Sequence, residues 1–199
     1  MATNGRRQGT DDTSVDPRIQ RSRAAVLEAT VALLAELGWA GTTVEAVAER
    51  SGVAKTTIYR HWRSRDQLVL DALDGLLTPP AIEATGDLYA DLVTMACALA
   101  DALEQSAWSR VLPAVTEGAE RNQQLATRIA ELTGVVRVSF TRRLGAARDA
   151  GTLPAGADLG LMTHLLIDPL FVRRLLTRER STTRFIEALV DGVLRSFSS

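Results

Sequence analysis

Apolar positions recur at helical spacing along nearly the whole chain from Arg18 onward. Val26, Thr30, Leu33 and Leu37 follow at intervals of four, three and four, with Ala29 and Leu34 widening the stripe. That spacing predicts an amphipathic helix, and Gly38 is placed to end it. Thr42-Thr43-Val44-Glu45 then has the form of a capping box. In it the Thr42 hydroxyl accepts from the backbone of Glu45, whose carboxylate reaches back. A short helix with Val44, Val47 and Ala48 inward is expected to follow, broken at Ser51-Gly52. Another short helix is expected from about Ala54 to His61. Ser64-Arg65-Asp66-Gln67 is a second capping box, opening a helix with Leu68, Ala72, Leu73 and Leu76 on one face. Thr78-Pro79-Pro80 stops or kinks it.

Beyond Pro80 the expected helices are longer. Leu88, Leu92, Met95, Leu99 and Leu103 form one stripe, in a helix expected over 86–104. Leu125, Ile129, Leu132, Val136 and Phe140 form another, over 122–148. The segment 158–178 is unusually apolar and contains Pro169. In the last helix Phe185, Leu189 and Val193 share a row, with Ile186, Val190 and Phe197 beside it. Both of its faces are apolar, so burial on two sides is expected, with a second subunit as one cover. No strand-period segment exceeds a few residues, and there is no internal repeat. The expected fold class is all-α.

Composition supports that reading. Ala (29) and Leu (27) exceed a quarter of the 199 residues, against six Ile, which favours helix over sheet. One cysteine, Cys97, excludes an internal disulfide and a Cys-based zinc cluster. It is expected to be an inert core thiol. No uncharged apolar run approaches the roughly 18 residues of a membrane span, and the start of the chain lacks the apolar core of a secretory signal. A soluble, cytoplasmic protein without a membrane partner is expected. Charge is unevenly placed: residues 18–65 carry eight basic and four acidic side chains, whereas 66–199 carry 13 basic and 17 acidic. A small basic module ahead of a larger acidic one points the first part toward a polyanion.

Residues 1–17 carry almost nothing apolar and read as a disordered tail. Arg6 and Arg7 in it are readable either as solvated charge or as an arm touching phosphate or a minor groove. Residues 18–64 then read as a three-helix helix-turn-helix domain, and 65–199 as a larger helical domain. In the first, Ala48 must be small where two short helices cross. Gly52, four residues on, supplies a positive φ, and Ile58, six further on, plugs the space between the helices. The outward side of the second short helix is then Lys55, Thr56, Thr57, Tyr59, Arg60 and His61. Short donors, a flat phenol and three basic groups suit groove edges and phosphates.

These residues carry a resemblance. Gly38, Thr42-Thr43-Val44, Val47-Ala48 and the unbroken run Gly52 to Leu68 follow the pattern of the TetR family of bacterial transcriptional regulators almost position by position. Val47, Trp62 and Arg65 stand where Ile, Phe and Lys are usual, and each keeps the chemistry. The resemblance spans 18–77 and implies roles. Thr42 or Thr43 anchors a phosphate at a helix N-terminus. Lys55, Thr56, Thr57 and Arg60 sit at the major groove, Tyr59 and His61 meet the backbone, and Arg65 clamps a phosphate. Trp62 is assigned to packing.

The remaining residues are similar in outline to the sensing and dimerising domain of that family, where the last two helices pair with those of a second subunit. Leu166, Leu170, Phe185, Leu189 and Val193 are the expected interface. Met95, Trp108, Phe140, Met162, His164 and Phe171 are candidate ligand-pocket residues, although apolar stripes of this kind also read as plain core. His164 and Asp168, four apart, make a poor metal site without a third ligand, and a buried His–Asp hydrogen bond accounts for them. The 86–104 and 122–148 helices show no obvious internal charge, which implies a small, mainly hydrophobic effector. No nucleophile elbow, phosphate loop or dinucleotide fingerprint is present, so an enzyme is not expected and no cofactor is implied. The expected function is a homodimeric transcriptional regulator, a repressor as is the habit of that family, that binds a palindromic double-stranded DNA operator and releases it on meeting the effector. The competing reading is a constitutive DNA-binding or helical interaction protein without ligand control.

Overall fold

A computed structural model describes residues 17–74, 76 and 84–197. Arg6, Arg7 and the Thr78-Pro79-Pro80 stop lie outside the described residues. The chain is all-α. In order it forms α1 (Pro17–Gly41), α2 (Val44–Ser51), α3 (Lys55–His61), α4 (Arg65–Leu73), α5 (Leu88–Gln105), α6 (Ala107–Ala119), α7 (Gln123–Asp149), α8 (Leu159–Val172) and α9 (Thr183–Ser196). A π-type turn over Arg173–Thr177 follows α8, and there is no strand among the described residues.

Local chemistry sets most of these boundaries. The first helix breaks at Gly38, which adopts φ 71°, before a last turn closes at Gly41. Its stripe buries Val26, Ala29, Thr30, Leu33 and Leu34, while Leu37, expected inward, is exposed because the break turns the chain away. Gly52 ends α2 at φ 69°, its N–H donating to the Ala48 carbonyl at 3.0 Å. Replacing Gly52 by Ala meets no steric contact but forces a left-handed backbone on a residue with a Cβ. The expected cost is about 1–2 kcal/mol of stability, read by chemical denaturation. Ser64 caps α4 by accepting from the Gln67 N–H, and Gln67 Oε1 accepts in return from the N–H of Arg63, one residue before the cap, a shifted form of the expected box. Asp87, Asn122, Asp158 and Thr182 cap α5, α7, α8 and α9 in the same manner.

Two apolar cores result. The smaller joins Val26, Ala29 and Leu33 of α1 to Val44, Val47, Ile58, Trp62 and Leu68. The larger runs from Leu34, Val69 and Leu73 through the stripes of α5 to α9. Helices α1 and α4 therefore contribute to both, and Leu33 and Leu34, adjacent in sequence, face different cores. By length and composition α1 is apolar enough to cross a bilayer, but here it packs against α2, α4 and α6.

Helix α6 carries no signal the sequence reading recognised. Ser106 precedes it without a side-chain cap, and Pro113 sits inside it, removing one internal hydrogen bond. Trp108, Val111, Leu112 and Val115 nevertheless bury one face, and α6 is the main support of α1.

Of the expected interface residues, Phe185 and Leu189 keep part of their surface outward and three do not. Leu166, Leu170 and Val193 are buried in the chain's own core, and Phe185 and Leu189 are half-buried against it. Leucines lie on both sides of α8, so its apolar pattern alone does not show which side turns inward. The outward apolar row is instead Leu161, Leu165 and Val172, continued by Leu176 at 77% exposure.

Candidate nucleic-acid interface

Seven residues make α3, and Ile58, 1% exposed, fixes its orientation by entering the smaller core. The period of the helix then turns Lys55, Thr56, Tyr59, Arg60 and His61 to solvent, with Thr57 half-buried beside them. Lys55 Nζ lies 2.9 Å from Glu45 Oε1 and ties α3 to α2. The hydrogen bond from Lys55 holds the Glu45 carboxyl below the usual carboxylate range. Both groups are exposed, so this pair is open to competition from phosphate.

The expected capping box at α2 is displaced by one residue. Thr43, not Thr42, is the cap: its hydroxyl accepts from the Ala46 N–H at 3.1 Å and stays on the surface. Thr42 is fully buried and its hydroxyl donates to the Gly38 carbonyl at 2.8 Å, so it presents nothing to a phosphate. Glu45 turns to Lys55 instead of reaching back. Thr43 alone keeps the expected position at a helix N-terminus.

Below α3, Trp62 is 2% exposed and its indole N–H donates to Asp71 Oδ2 of α4 at 2.8 Å. Arg23 of α1 pairs with the same oxygen at 3.0 Å. Helices α1, α3 and α4 are thus fastened at one carboxylate, and Trp62 has the packing role expected of it. Arg65 opens α4 with its guanidinium 4.0 Å from the centre of the Trp39 ring, and its Nε is buried without a partner among the described residues.

The arrangement is a short helix with polar and basic groups outward, braced by two others. The pattern of bacterial regulatory proteins of the tetR family matches residues 26–72, and that of the tetracyclin repressor-like C-terminal domain matches 82–193. The chain belongs to the TetR family. Relatives of this TetR-family regulator include the uncharacterized HTH-type transcriptional regulator YdeS of Bacillus subtilis, 29% identical over 90% of this chain and 91% of that one. The HTH-type transcriptional repressor Rv3405c of Mycobacterium tuberculosis is 33% identical over 70% and 72%. Among solved structures, the TetR family transcription regulator SCO0332 superposes with a TM-score of 0.60 at 32% identity, covering 88% of this chain and 97% of that one. The family and these relatives are transcriptional regulators, not enzymes.

In the C-terminal half of this TetR-family chain, Met95, Trp108, Phe140 and Met162 all belong to the larger core, and Phe171 packs against it. Trp108 is fully buried and its indole N–H has no acceptor among the described residues. His164 does not join them. It is exposed on the outer side of α8, its Nδ1 3.0 Å from Asp168, which also accepts from Arg137 at 3.1 Å. The expected His–Asp bond exists but is not buried. Cys97 is half-buried, and burial, helped by Asp101 and Glu187, pushes its thiol pKa up and disfavours the reactive thiolate.

The absence of internal charge also needs correction. Asp91 of α5 is 2% exposed and accepts from Arg143 Nε of α7 at 2.6 Å, and from the Thr85 hydroxyl and N–H at 2.7 and 3.0 Å. Burial alone would raise the Asp91 carboxyl; the Thr85 and Arg143 hydrogen bonds outweigh it and hold the group below its ordinary range. No periodicity could have paired residues 52 positions apart.

Proposed function

We propose that this TetR-family regulator is a homodimeric repressor that reads a palindromic operator with α3 and leaves it when a small, mainly hydrophobic effector binds among α5, α6, α7 and α8. The observation that carries the DNA reading is the outward set Lys55, Thr56, Tyr59, Arg60 and His61 on a helix whose opposite side is locked by Ile58. Lys55, Thr56, Thr57 and Arg60 are assigned to base edges, and Thr43, Tyr59, His61 and Arg65 to the backbone. Repression is proposed from the relative named a repressor. The effector reading is supported by Met95, Trp108, Phe140 and Met162, from α5, α6, α7 and α8 in turn, belonging to one core, with the Trp108 N–H, unpartnered among the described residues, as a donor for an acceptor on the ligand. A cytoplasmic location follows from acting on the chromosome.

Selection of bound fragments from a random DNA pool tests the reading and supplies the operator. Arg60→Ala is expected to relax base preference at one position of each half-site, costing about 1–3 kcal/mol on the preferred sequence. His61→Ala is expected to weaken binding evenly across sequences. Titration of both variants against the selected duplex and a scrambled one checks this; equal wild-type affinity for the two duplexes at physiological salt sinks the proposal. Stabilising compounds from a thermal-shift screen that never release the operator would favour the constitutive binder.

A further inference from the structure

We propose that Trp39 is a positioning residue for Arg65, and that its ring makes the phosphate contact of Arg65 depend on the placement of α6. This rests on the reading that Arg65 meets a DNA phosphate.

Three observations meet at this ring. The Arg65 guanidinium stands 4.0 Å from its centroid, the distance of a close cation–π stack. Among the described residues Arg65 has no close ion pair to hold it: the Asp66 carboxylate is 3.9 Å from Nε, and Nε is buried without a hydrogen bond. The ring is therefore the principal support of that guanidinium. The same ring lies against Gly118 in α6, so close that a Cβ there would fall 2.5 Å from a ring carbon. Only glycine admits the indole at this point. A flexible arginine loses much side-chain freedom on gripping a phosphate, and a planar platform removes part of that cost in advance. With the side chain about a quarter exposed (27%), a phosphate can approach it while the stack persists.

The neighbouring residue is fastened to the regulatory half as well. Asp66 accepts from the side-chain amide of Asn122, the cap of α7, at 2.6 Å. The start of α4 thus rests on α6 through Trp39 and on α7 through Asn122. Displacement of α6 moves the platform, and Arg65 loses its set position without any change in α3.

A double-mutant cycle on DNA affinity tests this, using a duplex selected from a random pool with the wild-type chain and a mixed-sequence duplex at low salt. R65A is expected to weaken binding to both and to lower the salt slope by about one unit. W39L is expected to weaken binding about five-fold, the scale of a partly desolvated cation–π contact. W39F should restore most of that loss. The W39L/R65A chain should bind no more weakly than R65A alone. G118A provides a second route that leaves the reader intact: its Cβ must shift the indole, so it should reproduce the loss with Arg65 present and be silent in the R65A background.

Equal losses from W39L in both backgrounds would mean that Trp39 acts only through the fold, and would overturn the proposal. So would tighter binding by W39L, which would make the ring a sequestering site. If R65A changes neither affinity nor slope while R60A still weakens binding, the phosphate role of Arg65 has failed and the proposal with it, but the reading of α3 stands.

Discussion

A chain carrying Leu165→Arg is expected to fold normally, sediment as a monomer and bind its operator more weakly by a factor on the order of 10²–10⁴. Leu165 is 40% exposed on α8, in one row with Leu161 and Val172. In the homodimer proposed above this row faces its copy in the second subunit, and two arginines placed there meet across a seam that cannot solvate them. Losing the dimer turns one bivalent engagement into two independent weak ones, which is the source of the large factor. Leu166→Arg provides the contrast. Leu166 is fully buried within one chain, so that change should abolish folding instead of assembly. Circular dichroism separates the two outcomes, and sedimentation at micromolar concentration reads the assembly. An L165R chain that remains dimeric would place the seam elsewhere.

The second large effect is expected at Asp91. Asp91→Asn removes the negative charge facing Arg143, which is itself only 12% exposed, and leaves a cation without its counter-charge in the regulatory core. Breaking one partner of a buried pair costs about 3–5 kcal/mol. For a chain of this length that is roughly 6–20 °C in melting temperature. Replacing both partners at once, with Asp91→Leu and Arg143→Met, is expected to recover most of the loss, since no orphaned charge remains. The pH dependence has a definite sign. The Asp91 carboxyl is lower in the folded chain than in the unfolded one. Its contribution is complete above the unfolded value of about 3.9 and is lost as pH falls through the folded value. Acid melts of wild type should steepen below about pH 4, and those of D91N should lack that component. Parallel acid profiles for the two chains would show that the pair contributes nothing to stability.

The reader was legible in the sequence because its demands are local. Gly52 four residues after Ala48 and Ile58 six further on describe one turn and one plug, and Ser64 to Gln67 describe one cap. The Thr42-Thr43 pair shows the limit of such signals: two adjacent hydroxyls offer the same capping chemistry, and the buried one is chosen by the turn at Gly38. In the second half the stripes of α5 and α7 were readable, whereas α6 was hidden by an uncapped start and an internal proline. The inward side of α8 was not readable either, because leucines cover both of its sides. Asp91 with Arg143, and Trp39 with Gly118, are partnerships between distant segments, and no pattern along the chain announces them.

Leu33 and Leu34 have a consequence for how such chains are inherited. Neighbouring residues of one helix serve the smaller and the larger core respectively, and Leu68 and Val69 of α4 divide in the same way. A recombination joint at residue 64 would leave the reader without Leu68. A joint beyond α4 would keep the reader whole but set α1 and Trp39 against a foreign α6, in which the place of Gly118 is open to any side chain. Neither joint preserves both halves. Exchange of N-terminal segments between relatives of this chain therefore has to carry matched substitutions along α6, and the two halves are bound to drift together.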